Sequence, residues 1–97
     1  MITAITKFEA IDGSSAKKLE LLFTKISQET AQEKGFIAYE ILSVQDSSTV
    51  YYVVEKWHSE EDLKNHSELV AEKGYVTQAV HLLKNTINTI TLKNLNK

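Results

Sequence analysis

Three side chains near the middle of the sequence could form a site that moves protons on a small molecule: Glu55, Trp57 and His66. His66 follows Leu63 by three residues and precedes Val70 by four, a spacing that places all three on one face of a helix. Its imidazole should therefore face the protein interior. Because histidine has an ordinary pKa of about 6.5, it suits proton transfer near neutral pH. The alternative is a structural histidine that is hydrogen-bonded to a backbone carbonyl.

Glu55 and Trp57 lie on one face at the end of a predicted strand, and Val53 shares that face. Glu55 is either a carboxylate in a pocket or the partner of a nearby cation. Trp57 is either a pocket wall or a core residue. Tyr39 and the other tyrosines could bring a hydroxyl to a pocket or an interface, although tyrosines in strands usually only pack.

Other common catalytic groups are missing from the sequence. It has no cysteine, which excludes disulfides, thiol catalysis and zinc–thiolate sites. Glu55, His58 and His66 do not have a known metal-ligand spacing, so we predict no metal site. Neither a glycine-rich phosphate loop nor a nucleophile elbow is present. We therefore predict that any activity of the chain requires no metal, flavin or haem.

Composition and charge limit the possible partners. The 97 residues fit one domain, residues 1–97, with one modest core. The net charge is −2 and basic residues do not cluster, which argues against nucleic acid and against an anionic membrane surface. No apolar stretch approaches the roughly 18 residues of a membrane span, and the N-terminus does not have the pattern of a signal peptide. A cytoplasmic location is therefore expected.

Hydrophobic periodicity predicts the elements that would position these residues. Ser14 or Ser15 is the expected N-cap of the first helix, and Gly35 is its expected stop. Ser59 should cap the second helix, and Gly74 should end it. The predicted segments are a strand at 2–11, a helix at 16–34, a hairpin of strands at 36–44 and 50–57, a helix at 59–73, a helical segment at 75–83 and a strand at 86–95. Their order is βαββαβ, an α+β ferredoxin-like fold with both helices on one face of an antiparallel sheet.

Both faces of the predicted sheet are apolar. The third strand has Val50, Tyr52 and Val54 on one face and Tyr51, Val53 and Trp57 on the other. Because the helices cover only one face, the second face would be an apolar patch of a size that monomers rarely expose. No predicted loop is long enough to cover it. We therefore predict a homodimer in which two copies pack sheet to sheet around a two-fold axis.

Two stretches of the sequence form a recognisable pattern. Residues 33–42 read EKGFIAYEIL, residues 55–63 read EKWHSEEDL, and His66 follows Trp57 by nine residues. The pattern is a glycine, a strand with a tyrosine, a strand that ends Glu-x-Trp, and a helix with a histidine. It resembles the antibiotic biosynthesis monooxygenase superfamily of dimeric α+β barrels, which includes quinol monooxygenases.

This resemblance implies a cavity between the sheet and the helices of each protomer. Enzymes of the superfamily oxidise quinols or anthrone-like phenols with O2 and use no flavin, haem or metal. By match to the pattern, His66 would accept the proton and Trp57 would be a cavity wall. The apolar side chains that neighbour Trp57 disfavour an anthrone substrate. The other residues expected to bind the substrate are Glu55, Tyr39, Val53 and Leu63.

Three functions remain open at this point. The first is a cofactor-independent monooxygenase that oxidises a small quinol or phenolic aromatic. The second is an isomerase of a small oxygenated metabolite that uses the same His66. The third is a non-catalytic dimeric module that binds a small aromatic molecule. Haem degradation is disfavoured, because the first strand reads Thr6-Lys7 where haem-degrading relatives carry an asparagine.

Overall fold

Residues 1–96, the part of the chain that the computed structural model describes, fold into four strands and three helices. The elements are β1 (Ile2–Glu9), α1 (Gly13–Thr30), β2 (Phe36–Ser43), β3 (Val50–Trp57), α2 (Glu60–Glu72), α3 (Tyr75–Val80) and β4 (Asn88–Lys93). The strands form one antiparallel sheet in the order β2-β3-β1-β4. The predicted α+β ferredoxin-like fold is confirmed. Lys97, the last residue of the predicted domain, lies outside the described residues.

Helix α1 begins and ends earlier than its hydrophobic pattern predicts. The carboxylate of Asp12 accepts a hydrogen bond from the Ser15 N–H at 2.8 Å, so Asp12 is the N-cap and the predicted serine cap is wrong. The helix ends at Thr30, and residues 31–35 form turns before β2. Gly35, with a φ of 82°, therefore leads into β2 and does not end α1. Within the described range, no helix is both long and apolar enough to cross a membrane.

The core lies between α1 and the covered face of the sheet. The Phe23 ring packs edge-on against Phe8 at 4.9 Å and against Tyr51 at 5.7 Å between ring centroids. Farther along β3, Glu55 and Trp57 continue the same buried face. The periodicity that predicts this helix comes from apolar residues three and four positions apart, and the structure buries them as one stripe that includes Leu19, Leu22, Phe23 and Ile26.

The opposite face of the sheet is apolar and open. Ile5 in β1 lies at its centre, paired with Val54 of β3 on one side and with Ile90 of β4 on the other. Leu42, Ile90 and Leu92 are 48%, 58% and 45% exposed. The predicted distribution of apolar residues over both faces of β3 is confirmed, and no segment within residues 1–96 covers this open face.

Candidate functional site

A close contact between α2 and the turn before β2 positions the site. Ser59 caps α2: its hydroxyl accepts from the Asp62 N–H at 3.1 Å and donates to the Asp62 carboxylate at 2.9 Å. Asp62 lies so close to Gly35 that a Cβ at Gly35 would overlap its carboxylate. The His58 N–H also donates to the Gly35 carbonyl at 2.9 Å. The start of α2 is therefore fixed against this turn, and His66 follows one helical turn later.

His66 lies between two glutamates. Its Nδ1 is 3.0 Å from Glu33 Oε1, and its Nε2 is 3.4 Å from Glu55 Oε1. The residue is only 4% exposed. Glu55 Oε1 also accepts a hydrogen bond from Trp57 Nε1–H at 3.0 Å. The imidazole therefore pairs with two carboxylates, and this arrangement differs from the carbonyl-bonded structural histidine considered from the sequence.

Burial controls the charge of the groups around this imidazole. Burial raises the pKa of Glu55, while the nearby His66 and the hydrogen bond from Trp57 act in the opposite direction. Burial also raises the pKa of the Tyr39 hydroxyl well above its ordinary value, and the charges of Glu55 and Glu33 add to this effect. The Tyr39 ring meets the His66 ring at 6.3 Å between centroids. Tyr39 is thus a neutral hydroxyl, and Glu55 can keep a proton at a pH where an exposed glutamate is ionised.

A cavity of about 180 Å³ opens beside these residues, between the sheet and the helices. Exposed side chains on its wall, Ser67, Val76 and Thr89, mark the side that faces solvent. Thr6 on its wall forms a hydroxyl pair with Thr89 at 2.8 Å. A cavity of roughly 150 Å³ can hold a benzene molecule, so this one accommodates a small aromatic. The apolar lining includes Phe8, Leu22, Phe23, Ile26, Val70 and Ile87.

The structure separates the sequence-predicted site residues into two groups. His66, Glu55 and Tyr39 line the cavity. Trp57, Val53 and Leu63 are not among the described residues of the cavity wall. The structure therefore does not support the expectation that these three residues contact a bound molecule. Trp57 lies fully buried beside His66, with ring centroids 4.8 Å apart. Val53 belongs to the core under α1, and Leu63 is half-buried on α2.

The position of Leu63 along α2 explains why it misses the cavity. Asp62 and His66, four residues apart, are the buried positions of this helix. Leu63 lies on the same side of α2 as Val70, which lines the cavity seven residues later, so Leu63 is too near the start of the helix to reach it. His58 and His81 are exposed, as their positions at element ends predict.

Sequence reasoning missed several polar residues of the site, and Glu33 and Thr6 are two of them. Glu33 was noted only as part of the family pattern, because nothing in its spacing connects it with His66, 33 residues away. One feature of the sequence could have indicated Glu33: it lies two residues before a glycine. A glycine allows a tight turn, and such a turn can bring the Glu33 side chain into contact with another element. Thr6 was missed because a polar residue at a buried strand position usually only completes a hydrogen bond.

Comparison with known proteins matches this sequence and this fold to one family. Residues 1–78 match the model of the antibiotic biosynthesis monooxygenase family. The chain belongs to this family. Its antibiotic biosynthesis monooxygenase domain thus contains every residue of the His66 cluster, from Glu33 to His66. The resemblance inferred from the sequence pattern is confirmed. No protein with a curated function matches the sequence.

Solved structures of family members show the same fold. A candidate antibiotic biosynthesis monooxygenase from Nitrosomonas europaea superposes with a TM-score of 0.88 at 14% identity, with 98% of this chain and 99% of that chain covered. Another from Deinococcus radiodurans gives 0.87 at 19% identity, covering 97% and 92%. A mutant of SnoaB, a cofactor-independent oxygenase from Streptomyces nogalater, gives 0.83 at 15% identity, covering 97% and 92%. At these identities the similarity establishes the fold.

Proposed function

We propose that the chain is a cofactor-independent monooxygenase that oxidises a small quinol or phenolic aromatic with O2, and that His66 accepts the phenolic proton. The observation that carries this proposal is the buried imidazole on the wall of a mostly apolar cavity, with a carboxylate at each ring nitrogen. Family membership supports an oxygenase, and the lining residues support an aromatic ligand.

The proposed reaction begins when a phenolic O–H in the cavity gives its proton to Glu55, which lines the wall, while Glu55 passes its own proton across the 3.4 Å contact to Nε2 of His66. This leaves a phenolate and an imidazolium. The electron-rich phenolate gives one electron to O2. The organic radical and superoxide then combine to form a C–O bond. The imidazolium returns its proton to the resulting peroxide, and loss of water yields a hydroxyquinone. One oxygen atom enters the product and the other leaves as water. Because the quinol supplies all four electrons, no further reductant is needed.

Three neighbours of His66 would support this step. Glu55 can exchange a proton with the imidazole across the 3.4 Å contact. Tyr39, which stays neutral, can donate a hydrogen bond to a phenolate oxygen in the cavity. Trp57 holds Glu55 through its indole N–H and packs beside the imidazole, so we assign it a supporting position behind the cavity wall.

The size of the cavity favours a substrate with one aromatic ring. At about 180 Å³, it slightly exceeds the roughly 150 Å³ that encloses one benzene ring. A three-ring anthrone would extend past the wall residues toward solvent. The sequence-based argument against anthrone, from the apolar neighbours of Trp57, no longer applies, because Trp57, Val53 and Leu63 are not among the described residues of the cavity wall.

The same proposal includes a homodimer. The open sheet face presents Leu42, Ile90 and Leu92, all about half exposed, around the central Ile5. A second copy on this face would remove the patch from water and leave the cavity, which lies on the opposite side of the sheet, accessible to substrate.

Oxygen uptake with a panel of one-ring and two-ring hydroquinones tests the reaction. We expect uptake of one O2 per quinol consumed and, with ¹⁸O2, one labelled atom in the product. The dimethyl ethers of the same quinols are the matched control, because they cannot give up a phenolic proton. Turnover without O2 uptake would instead favour the isomerase. A ligand-induced rise in Tm without any turnover would favour the binding module.

A further inference from the structure

We propose that Glu33 is a positioning residue that holds the Nδ1–H of His66 and so makes Nε2 the nitrogen that exchanges protons. This inference rests on the proposed function in one respect, since it concerns the same histidine. Among the described residues, the cavity wall does not include Glu33. Glu33 therefore acts through His66 and has no direct contact with a bound molecule.

The two contacts of the imidazole are unequal, and this decides which nitrogen carries the proton. A neutral imidazole can donate from one ring nitrogen only. The Nδ1 contact, at 3.0 Å, is a hydrogen bond, whereas the Nε2 contact, at 3.4 Å, is longer. An ionised carboxylate can only accept a hydrogen bond. Glu33 therefore fixes the proton on Nδ1, and the lone pair of Nε2 is directed at Glu55.

The environment of Glu55 is consistent with this assignment. Glu55 is buried beside Trp57, whose indole N–H donates to the same Oε1 that faces His66. Burial raises the pKa of Glu55, and the negative charge of Glu33 acts in the same direction. A protonated Glu55 can donate to the lone pair of Nε2. The cluster then carries a single negative charge, on Glu33.

The groups that face His66 come from three elements. Glu33 comes from the turn after α1, Tyr39 comes from β2, and Glu55 comes from β3 beside Trp57. The turn that carries Glu33 is fixed by the contact of Gly35 with α2 described above. The turn that carries Glu33 is thus packed against α2, the helix that carries His66. This packing fixes the position of the Glu33 carboxylate relative to the imidazole.

Nitrogen NMR of uniformly ¹⁵N-labelled protein tests the inference without any substrate. Two-bond ¹H–¹⁵N spectra, recorded at a pH where the imidazole is neutral, distinguish a protonated from an unprotonated ring nitrogen. His58→Gln and His81→Gln variants assign the exposed histidines. We expect the Nδ1–H form of His66 in the native chain. In Glu33→Gln the side-chain amide can donate to Nδ1, and the shifts assigned to the two nitrogens should exchange.

The matched control is Glu29→Gln. Glu29 also accepts hydrogen bonds, from Lys73 at 2.8 Å and from the Tyr75 hydroxyl at 2.7 Å, but it does not touch His66. Its substitution removes the same charge and should leave the His66 spectrum unchanged. An Nε2–H form in the native chain would overturn the inference even if Glu33→Gln did not fold. Identical His66 spectra in the native chain and Glu33→Gln would also overturn it.

A kinetic measurement separates this inference from the proposed function. For a quinol that the native chain oxidises, Glu33→Gln should lower kcat about 10²–10⁴-fold with little change in KM, as expected when a general base has the wrong tautomer. The pH–rate profile should shift as well, whereas Glu29→Gln should keep the native profile. If no quinol is oxidised but the tautomer is as expected, the proposed reaction fails and the role of Glu33 stands.

Discussion

At His66, a carboxylate at each ring nitrogen replaces the single backbone carbonyl that usually satisfies a structural histidine. Forming this arrangement removes water from two carboxylates, which is unfavourable. The effect is seen at Glu55, because its burial raises its pKa. Perturbed groups of this kind are concentrated at functional sites. The residue-level geometry therefore favours a role in proton transfer over a role in packing alone.

Replacing His66 by alanine should lower turnover of a quinol about 10²–10⁴-fold, because the phenolic proton loses its acceptor. The variant should also unfold about 1–3 kcal/mol more easily, since Glu33 loses its hydrogen-bond partner and Glu55 loses its 3.4 Å contact with the imidazole. The native rate should fall toward acidic pH, because a protonated imidazole cannot accept a proton. Steady-state kinetics and urea unfolding measure both effects. The exposed His81→Ala is the control, and unchanged kinetics in His66→Ala would remove His66 from the mechanism.

Glu55→Gln should be more stable than the native chain at pH 8 and similar to it near pH 4.5. The folded-state pKa of Glu55 is raised, so its contribution to stability is fully present below the ordinary pKa of glutamate and is lost as pH rises through the folded pKa. Glutamine imitates the protonated acid and keeps an acceptor for the Trp57 N–H. Urea unfolding at several pH values measures the difference. A constant difference between the two proteins across this range would contradict the raised pKa.

At the scale of elements, the sequence predicted what depends on local periodicity. The alternation in β3 and the stripe of Leu19, Leu22, Phe23 and Ile26 in α1 were correct because they follow from periods of two and 3.6 residues. The contact between Asp62 and Gly35, which fixes the start of α2 against the turn before β2, was not predictable in this way, because the two residues are 27 positions apart. Glu33 was missed for the same reason, since the turn that carries it is set by tertiary packing.

Gly35→Ala should destabilise the chain more than Gly74→Ala does. Both glycines have a positive φ, 82° and 81°, so alanine is strained at either position by about 1–2 kcal/mol. At Gly35 the new methyl group also overlaps the Asp62 carboxylate, whereas at Gly74 it meets open space. The overlap should add about 1–3 kcal/mol. Urea unfolding of the two variants gives this difference directly, and equal costs would show that α2 does not pack tightly on the turn.

At the scale of the whole molecule, the order of elements determined the fold, because right-handed connections leave few arrangements of a βαββαβ chain. The family resemblance implied a cavity between the sheet and the helices, but the size and the lining residues of that cavity were beyond sequence reasoning. They depend on how far the short α3 stands from the sheet and from α1, and no local pattern encodes such distances.

The chain should be a dimer at micromolar concentration, and Ile90→Glu should weaken it. Ile90 is 58% exposed on the open sheet face, so a glutamate at this position is exposed to solvent in a monomer. In the proposed dimer, the same glutamate would be buried between the two sheets. An unpaired buried charge costs several kcal/mol. Leu21→Glu is the control, because Leu21 is 74% exposed on the outer side of α1. Light scattering coupled to size exclusion measures the mass. A one-chain mass for the native protein would exclude the dimer.

The single tryptophan of the chain lies against the histidine of the cavity, with ring centroids 4.8 Å apart and planes inclined by 34°. An excited indole transfers charge readily to a protonated imidazole at this range, so its emission is quenched when the imidazole gains a proton. All tryptophan fluorescence of the molecule therefore originates beside the proposed proton acceptor. A change in brightness on adding an aromatic compound reports an event at that site, before any product is known.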